Sequence, residues 1–127
     1  MIKDVKLPLI EANKARSICN NLTGYPTENR VLIAVPANPE ITKGGIILPG
    51  QNKEDLPRKG VIVQVGEVTE DNITYRGLKV GDVVTYGMYA GKEIDPPFKD
   101  DFEEDLTDLK FYVLSLTEII YIELNRN

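Results

Sequence analysis

Histidine and tryptophan are absent from this sequence, and cysteine occurs only once, at Cys19. Without histidine, the chain cannot build a Ser–His–Asp triad, a Cys–His pair or a zinc site with histidine ligands. A single cysteine excludes a disulfide within the chain. We therefore predict no catalytic residues, no metal site and no cofactor site, since the remaining carboxylates are common on any acidic surface.

Positive charge is also scarce, and no apolar run is long. The 127 residues include 15 basic and 20 acidic residues, which gives a net charge of −5. Nucleic-acid-binding proteins normally present a basic face, and a membrane-spanning helix needs about 20 apolar residues, so neither kind of partner is expected. Charged residues near the N-terminus interrupt the core of any signal peptide. The sequence predicts a single-domain cytoplasmic protein.

Most of the chain has the pattern of short β-strands separated by turn residues. Val68, Ile73 and Tyr75 alternate with polar residues and predict a small hairpin. Many short strands without helical patterns between them favour an all-β barrel or sandwich. The predicted strands are Arg30–Pro36, Val61–Val65, Val83–Tyr86, Tyr89–Ile94, Phe111–Leu114 and Ile119–Leu124.

Residues 1–24 differ from the β domain that is predicted over residues 25–127. Their apolar side chains recur at the spacing of an amphipathic helix, so a short helical N-terminal extension is predicted. The interpretation that we favour is a helix on its own domain or a mobile tail, and docking on a partner is the alternative. The residues at helical spacing are Ala15, Ile18, Cys19 and Leu22.

An apolar tripeptide, Ile46, Ile47 and Leu48, lies between turn-forming residues and directly follows Gly44 and Gly45. Glycine and proline around it indicate a loop, whereas three consecutive large aliphatic residues favour burial. When a loop exposes such residues in the free protein, they usually become buried on binding a partner. A buried strand of the same domain is the alternative.

Several segments, in their order along the chain, resemble the GroES-type co-chaperonin family. The resemblance covers about residues 25–124 and implies a GroES-like irregular β-barrel with a mobile loop at about residues 40–59. Thr42–Pro49 is similar to the family's mobile loop, Lys59–Gly66 to the strand after it, Leu78–Val84 to its KVGD turn and following strand, Tyr89–Lys92 to its YGG-type segment, and Thr117–Glu123 to its closing strands.

The resemblance also implies a function, which is that of a non-enzymatic co-chaperonin. Such a protein forms a ring, a heptamer by family precedent, that caps a GroEL-type chaperonin and encloses unfolded client proteins. Residues 44–48 would then bind the chaperonin. The partner would bind ATP, since this chain has no G-x-x-x-x-G-K-[ST] phosphate-binding loop.

The resemblance implies two further kinds of site. Tyr89 matches an aromatic residue that faces the folding chamber, although a core tyrosine with a hydrogen-bonded hydroxyl is an equal alternative. Pairing between the first strand of one subunit and the last strand of its neighbour would close the ring. That pairing makes Val31, Ile33, Ile120 and Ile122 candidates for the subunit interface.

Two segments are additional to the length of a typical member of the family: residues 1–24 and an acidic insertion at residues 95–109. A divergent member, such as a phage-encoded co-chaperonin, could carry such additions. The insertion lacks the ligand spacing and glycine of an EF-hand, so a solvated acidic loop is favoured over a cation site or a chamber lining. The aromatic side chains of Phe98 and Phe102 are expected to be buried, either against a neighbouring subunit or in the interior of the ring.

Two other functions compete with a co-chaperonin. A structural or adaptor β module, for example in a virion, could dock through Ile46–Leu48. A similar fold also occurs as the catalytic domain of medium-chain dehydrogenases, but those enzymes need a nucleotide-binding domain, and this chain has no G-x-G-x-x-G motif.

Overall fold

One antiparallel sheet of six strands organises the computed structural model, which describes residues 9–37, 57–75, 77–87 and 89–124. The strands lie in the order β4-β5-β1-β2-β3-β6, so β4 and β6 are the two edges of the sheet. This architecture confirms the prediction of an all-β fold. The strands are β1 (Arg30–Pro36), β2 (Pro57–Val65), β3 (Val83–Gly87), β4 (Lys92–Ile94), β5 (Leu109–Ser115) and β6 (Ile119–Glu123).

The central strand β1 is buried along nearly its whole length. Because side chains alternate between the two faces of a strand, Val31, Ile33 and Val35 join one core cluster. Leu32 and Ala34 join a second cluster, on the other face. Apolar packing on both faces explains why this strand is a continuous apolar run rather than an alternating one.

The predicted N-terminal helix is confirmed as α1 (Ala12–Asn21), which buries Ala12, Ala15 and Ile18 along one face. Glu11 precedes the helix without making a side-chain cap, and an isolated helix of this length is marginal in water. Packing against the core cluster that contains Val61 and Val63 of β2 therefore stabilises it. This helix, the single α-helix in the described ranges, is too short and too polar to cross a membrane.

Replacing Ile18 with alanine should destabilise the whole domain. Its side chain is fully buried, and truncating a buried isoleucine to alanine typically costs about 2–5 kcal/mol. Urea unfolding measures the change, with Ser17→Ala as an exposed control on the same helix. An unchanged midpoint for Ile18→Ala would mean that α1 does not contribute to the folded domain.

The predicted hairpin around Val68, Ile73 and Tyr75 is wrong. Residues Glu70–Tyr75 form two short 3-10 turns instead, which are separated by a kink at Asn72. The N–H of Asn72 donates to the carbonyl of Thr69 at 3.0 Å. The segment is rich in residues that favour local turns over extended pairing. Val68 and Tyr75 still pack against the core, which accounts for the apolar pattern.

Three predicted boundaries also need correction. β2 begins at Pro57 rather than at Val61, so residues 57–59 of the predicted loop pair with β3. The strand predicted from Tyr89 begins only at Lys92, because a turn precedes it. The last residue of the predicted insertion, Leu109, already belongs to β5.

The expectation that the first strand offers an open edge is wrong. β1 pairs with β2 along one edge and with β5 along the other. Val31 and Ile33 are 0% exposed, so they are core residues and cannot contact a neighbouring subunit. β6 does lie at an edge, since it pairs with β3 alone among the described strands.

The buried phenol of Tyr86 on β3 predicts a loss of stability at alkaline pH. Burial raises the pKa of Tyr86 to about 12, with Arg58 lowering it and Tyr112 raising it to smaller extents. Because the usual pKa of tyrosine is about 10, folding favours the neutral phenol. Its contribution is complete below pH 10 and is lost as the pH rises towards 12, a change of about 2 kcal/mol.

Urea unfolding at pH 8 and at pH 11.5 tests this expectation with the variant Tyr86→Phe. The variant should lose less stability than the parent over this interval. Tyr121→Phe, which changes a largely exposed tyrosine, should behave as the parent does. An equal loss in the parent and in Tyr86→Phe would contradict the assignment to Tyr86.

Candidate functional site

The predicted partner-binding residues Gly44, Gly45, Ile46, Ile47 and Leu48 lie outside the described residues. The structure does describe the two strands that flank their segment, residues 38–56. β1 leads into the segment and β2 leads out of it, and these strands are antiparallel neighbours. The segment therefore leaves and re-enters the sheet at the same end.

Both strands that flank this segment are paired with a neighbouring strand on each side. β1 is paired with β5 as well as β2, and β2 is paired with β3 as well as β1. Beyond β1, the N–H of Ala37 donates to the carbonyl of Asp108 at 2.9 Å. Pro57, the first residue of β2, lies opposite Gly87 of β3. The segment is therefore connected at both ends to interior strands of the sheet.

Tyr89 lies between β3 and β4 and is 71% exposed, so it is not a core residue. The N–H of Ala90 donates to the carbonyl of Gly87 at 3.0 Å and closes the turn. The next residue, Gly91, has a φ of +80°, and a Cβ there would lie 2.7 Å from Cδ2 of Leu114. Only glycine fits this position without strain.

The carboxylate of Glu118 fixes this turn to the end of β5. Its Oε2 accepts the N–H of Gly91 at 3.2 Å, and its Oε1 accepts the N–H of Ser115 at 2.9 Å. Two hydrogen bonds from one side chain hold the backbone beside Tyr89, so the exposed ring is presented from a well-held turn.

The edge strand β6 presents apolar side chains to solvent. Ile120 is 67% exposed, and Tyr121 and Leu124 are similarly exposed. The other interface candidate on this strand, Ile122, is half-buried and packs against the core. An unpaired edge with exposed apolar side chains is a surface on which another chain can pair.

A second exposed apolar surface, which the sequence did not predict, lies near the opposite edge of the sheet. Tyr25 is 85% exposed and borders a cavity of about 300 Å³. Ile94 of β4 and Pro97 also line this cavity. No local pattern in the sequence marks this surface, because the turn before β1, β4 and the insertion come together only in the fold.

The acidic insertion packs on the end of α1. Backbone bonds join the two, since the N–H of Thr23 donates to the carbonyl of Pro97 at 3.1 Å and that of Lys99 to the carbonyl of Asn21 at 2.8 Å. Phe98, which forms an isolated β-bridge with Leu22, lies in the middle of this contact. The end of α1 therefore buries part of the aromatic surface of the insertion.

Asp105 of the insertion has a local structural role. Its Oδ1 accepts the N–H of Thr107 at 3.0 Å. That hydrogen bond, with a smaller effect of Lys14, lowers the pKa of the fully exposed Asp105 carboxyl. Within the described ranges, no three acidic or cysteine side chains are arranged to hold a metal ion.

Comparison with known proteins gives consistent matches. The family model described as "Chaperonin 10 Kd subunit" matches residues 24–105. A protein named co-chaperonin GroES from Parabacteroides distasonis is 51% identical over 70 residues, which are 55% of this chain and 75% of that protein. Another of that name, from Petrotoga mobilis, is 39% identical over 88 residues, which are 69% of this chain and 93% of that protein. The family match begins after α1.

Proposed function

Because this chain belongs to the chaperonin 10 Kd subunit family, we propose that it is a co-chaperonin that binds a GroEL-type chaperonin through Ile46, Ile47 and Leu48. The family match carries this proposal, and two relatives cited above bear the name co-chaperonin. The protein itself performs no chemistry in this role. ATP is bound by the partner, whose conformational changes create or remove the binding grooves.

The energetics of the tripeptide suit a weak, reversible contact. Burying three large aliphatic side chains contributes roughly 5–9 kcal/mol before any cost. Ordering four or five loop residues costs roughly 1–2 kcal/mol each, which cancels most of that gain. A single copy should therefore bind weakly. Several copies on one ring bind with high avidity, because every loop after the first is already held near its groove.

The two exposed apolar surfaces support assembly into such a ring. Ile120 and Tyr121 lie on the β6 edge, whereas Tyr25 and Ile94 lie near the β4 edge. Different surfaces at opposite edges suit a head-to-tail contact, and head-to-tail contacts generate rings when the rotation closes. Seven subunits are proposed by family precedent. In this ring, Tyr89 would face the chamber in which client proteins are enclosed.

A binding experiment with a GroEL-type chaperonin tests the proposal. The protein and the chaperonin are mixed with ATP, with ADP or without nucleotide, and are then separated by size. We expect a free ring of about seven copies that co-elutes with the chaperonin only when nucleotide is present. A monomer or trimer that never co-elutes would instead support an adaptor module that uses the same tripeptide.

A further inference from the structure

The acidic insertion forms one wall of an open groove that shares only Ile94 with the surfaces of the proposed ring contact. The groove has a volume of about 780 Å³ and lies between residues 95–107 and the strands β4 and β5. We call it the insertion groove. Its apolar lining consists of Ile94, Phe98, Phe102, Leu106, Leu109 and Phe111.

Aromatic rings form a preorganised floor in the insertion groove. The rings of Phe98 and Phe102 stack with their centroids 4.7 Å apart. Phe111 meets Phe98 edge-on, at 6.2 Å. The backbone below is also held, since the N–H of Phe102 donates to the carbonyl of Lys99 and that of Leu109 to the carbonyl of Leu106, both at 3.0 Å. A held floor lowers the entropic cost of binding a ligand.

The rim of the insertion groove is acidic, with three carboxylates (Glu93, Asp95 and Glu104) and one basic residue, Lys110, in its lining. Between Lys92 and Lys110 the chain has eight acidic and three basic residues, a net charge of −5 that equals the net charge of the whole protein. Glu93 and Asp95 line the groove and are exposed to solvent. The third acidic lining residue, Glu104, lies 4.0 Å from Lys14. An apolar floor with a negative rim complements an apolar ligand with positive charges.

We propose that the insertion groove binds a peptide segment of a second protein that carries leucine-like side chains next to lysine or arginine. Its volume lies in the range of about 300–1,000 Å³ that is usual for ligand sites. The floor would take the apolar side chains, and Glu93 and Asp95 would attract the cationic ones. This inference does not depend on the proposed chaperonin contact, which uses a different segment of the chain.

Fluorescence anisotropy with a fluorescein-labelled octapeptide of alternating leucine and lysine tests the proposal on the full chain. The two comparison probes alternate leucine with glutamate and serine with lysine. We expect the leucine–lysine probe to bind at least about tenfold more tightly than either comparison probe, since only it matches both the floor and the rim. Equal binding of the serine–lysine probe would mean that acidic attraction alone acts, and would overturn the proposal.

Variants locate the contact. Phe102→Ala should weaken binding of the leucine–lysine probe by about tenfold or more, as for a central aromatic contact. Asp95→Asn should weaken it about threefold, as for an exposed ion pair, and should make it less sensitive to salt. Asp108→Asn removes the same charge from an exposed residue that does not line the groove. Equal effects of Asp95→Asn and Asp108→Asn would overturn the site, even if Phe102→Ala failed to fold.

Two further results would overturn the proposal, because each would show that the groove is occupied by this chain itself rather than by a second protein. If the mass of the free protein falls in Phe102→Ala, a second copy of the chain occupies the groove. If the leucine–lysine probe binds only after residues 1–8 are removed, the occupant is the chain's own N-terminal segment.

Discussion

Replacing Ile47 with aspartate should abolish nucleotide-dependent binding to a GroEL-type chaperonin while leaving the fold and the oligomer unchanged. The substitution removes one buried aliphatic side chain, worth roughly 1.5–3 kcal/mol, and would place a carboxylate in an apolar groove, which costs more. Every subunit of a ring carries the change, so the losses multiply across the loops that bind together. The expected loss of affinity is at least about 1,000-fold, which corresponds to roughly 4 kcal/mol.

Co-elution with the chaperonin in ATP and calorimetric titration measure this loss. Asn52→Asp is the matched control, because it adds the same carboxylate to the same segment at a polar position. The control should bind as the parent does. Unfolding of Ile47→Asp at room temperature would instead make the tripeptide a buried strand of the domain itself, which is the alternative that the sequence leaves open.

The second large effect is expected for Gly66→Ala, which should lower the free energy of unfolding by about 3 kcal/mol or more. A Cβ at Gly66 would lie 2.3 Å from the carbonyl oxygen of Thr27, and 2.9 Å from those of Arg30 and Pro26. These are backbone atoms, so no side-chain rotation relieves the overlap. The N–H of Gly66 also donates to the carbonyl of Arg30 at 2.8 Å, and moving the chains apart would break that hydrogen bond.

Urea unfolding measures the effect of Gly66→Ala. Gly87→Ala is its matched control, because a Cβ at that position meets nothing within 4 Å. Alanine should be neutral or slightly stabilising there, since it restricts the unfolded chain. Similar midpoints for the two variants would show that the end of β2 can move away from the segment before β1.

Local sequence patterns were enough to predict where several elements lie and which of their faces are buried. The apolar run from Arg30 to Pro36 became β1 with the predicted bounds, and the helical spacing of Ala15 and Ile18 became the buried face of α1. The turn before β3 was also predictable, because its key contact is local: the buried carboxylate of Asp82 accepts the N–H of Lys79 at 3.0 Å.

Features that depend on pairing between distant segments were not predictable in this way. β1 was expected to have a free edge, but Val31 lies opposite Val65 on one side and Leu114 on the other. Nothing near Val31 in the sequence indicates either partner. The insertion groove is a similar case, because Phe98 meets Phe111 across a run of charged residues that suggests only a solvated loop.

The contact between α1 and the insertion also constrains the order in which the protein can fold. As the chain is synthesised, α1 is made well before the β2 residues on which it packs, and longer still before Phe98, which bridges to Leu22. A helix of ten residues is marginal alone. The nascent helix can therefore gain its contacts with β2 first, but its full set of contacts only once residue 99 has left the ribosome. A protein that we propose to assist the folding of others thus completes the packing of its own helix only late in its synthesis.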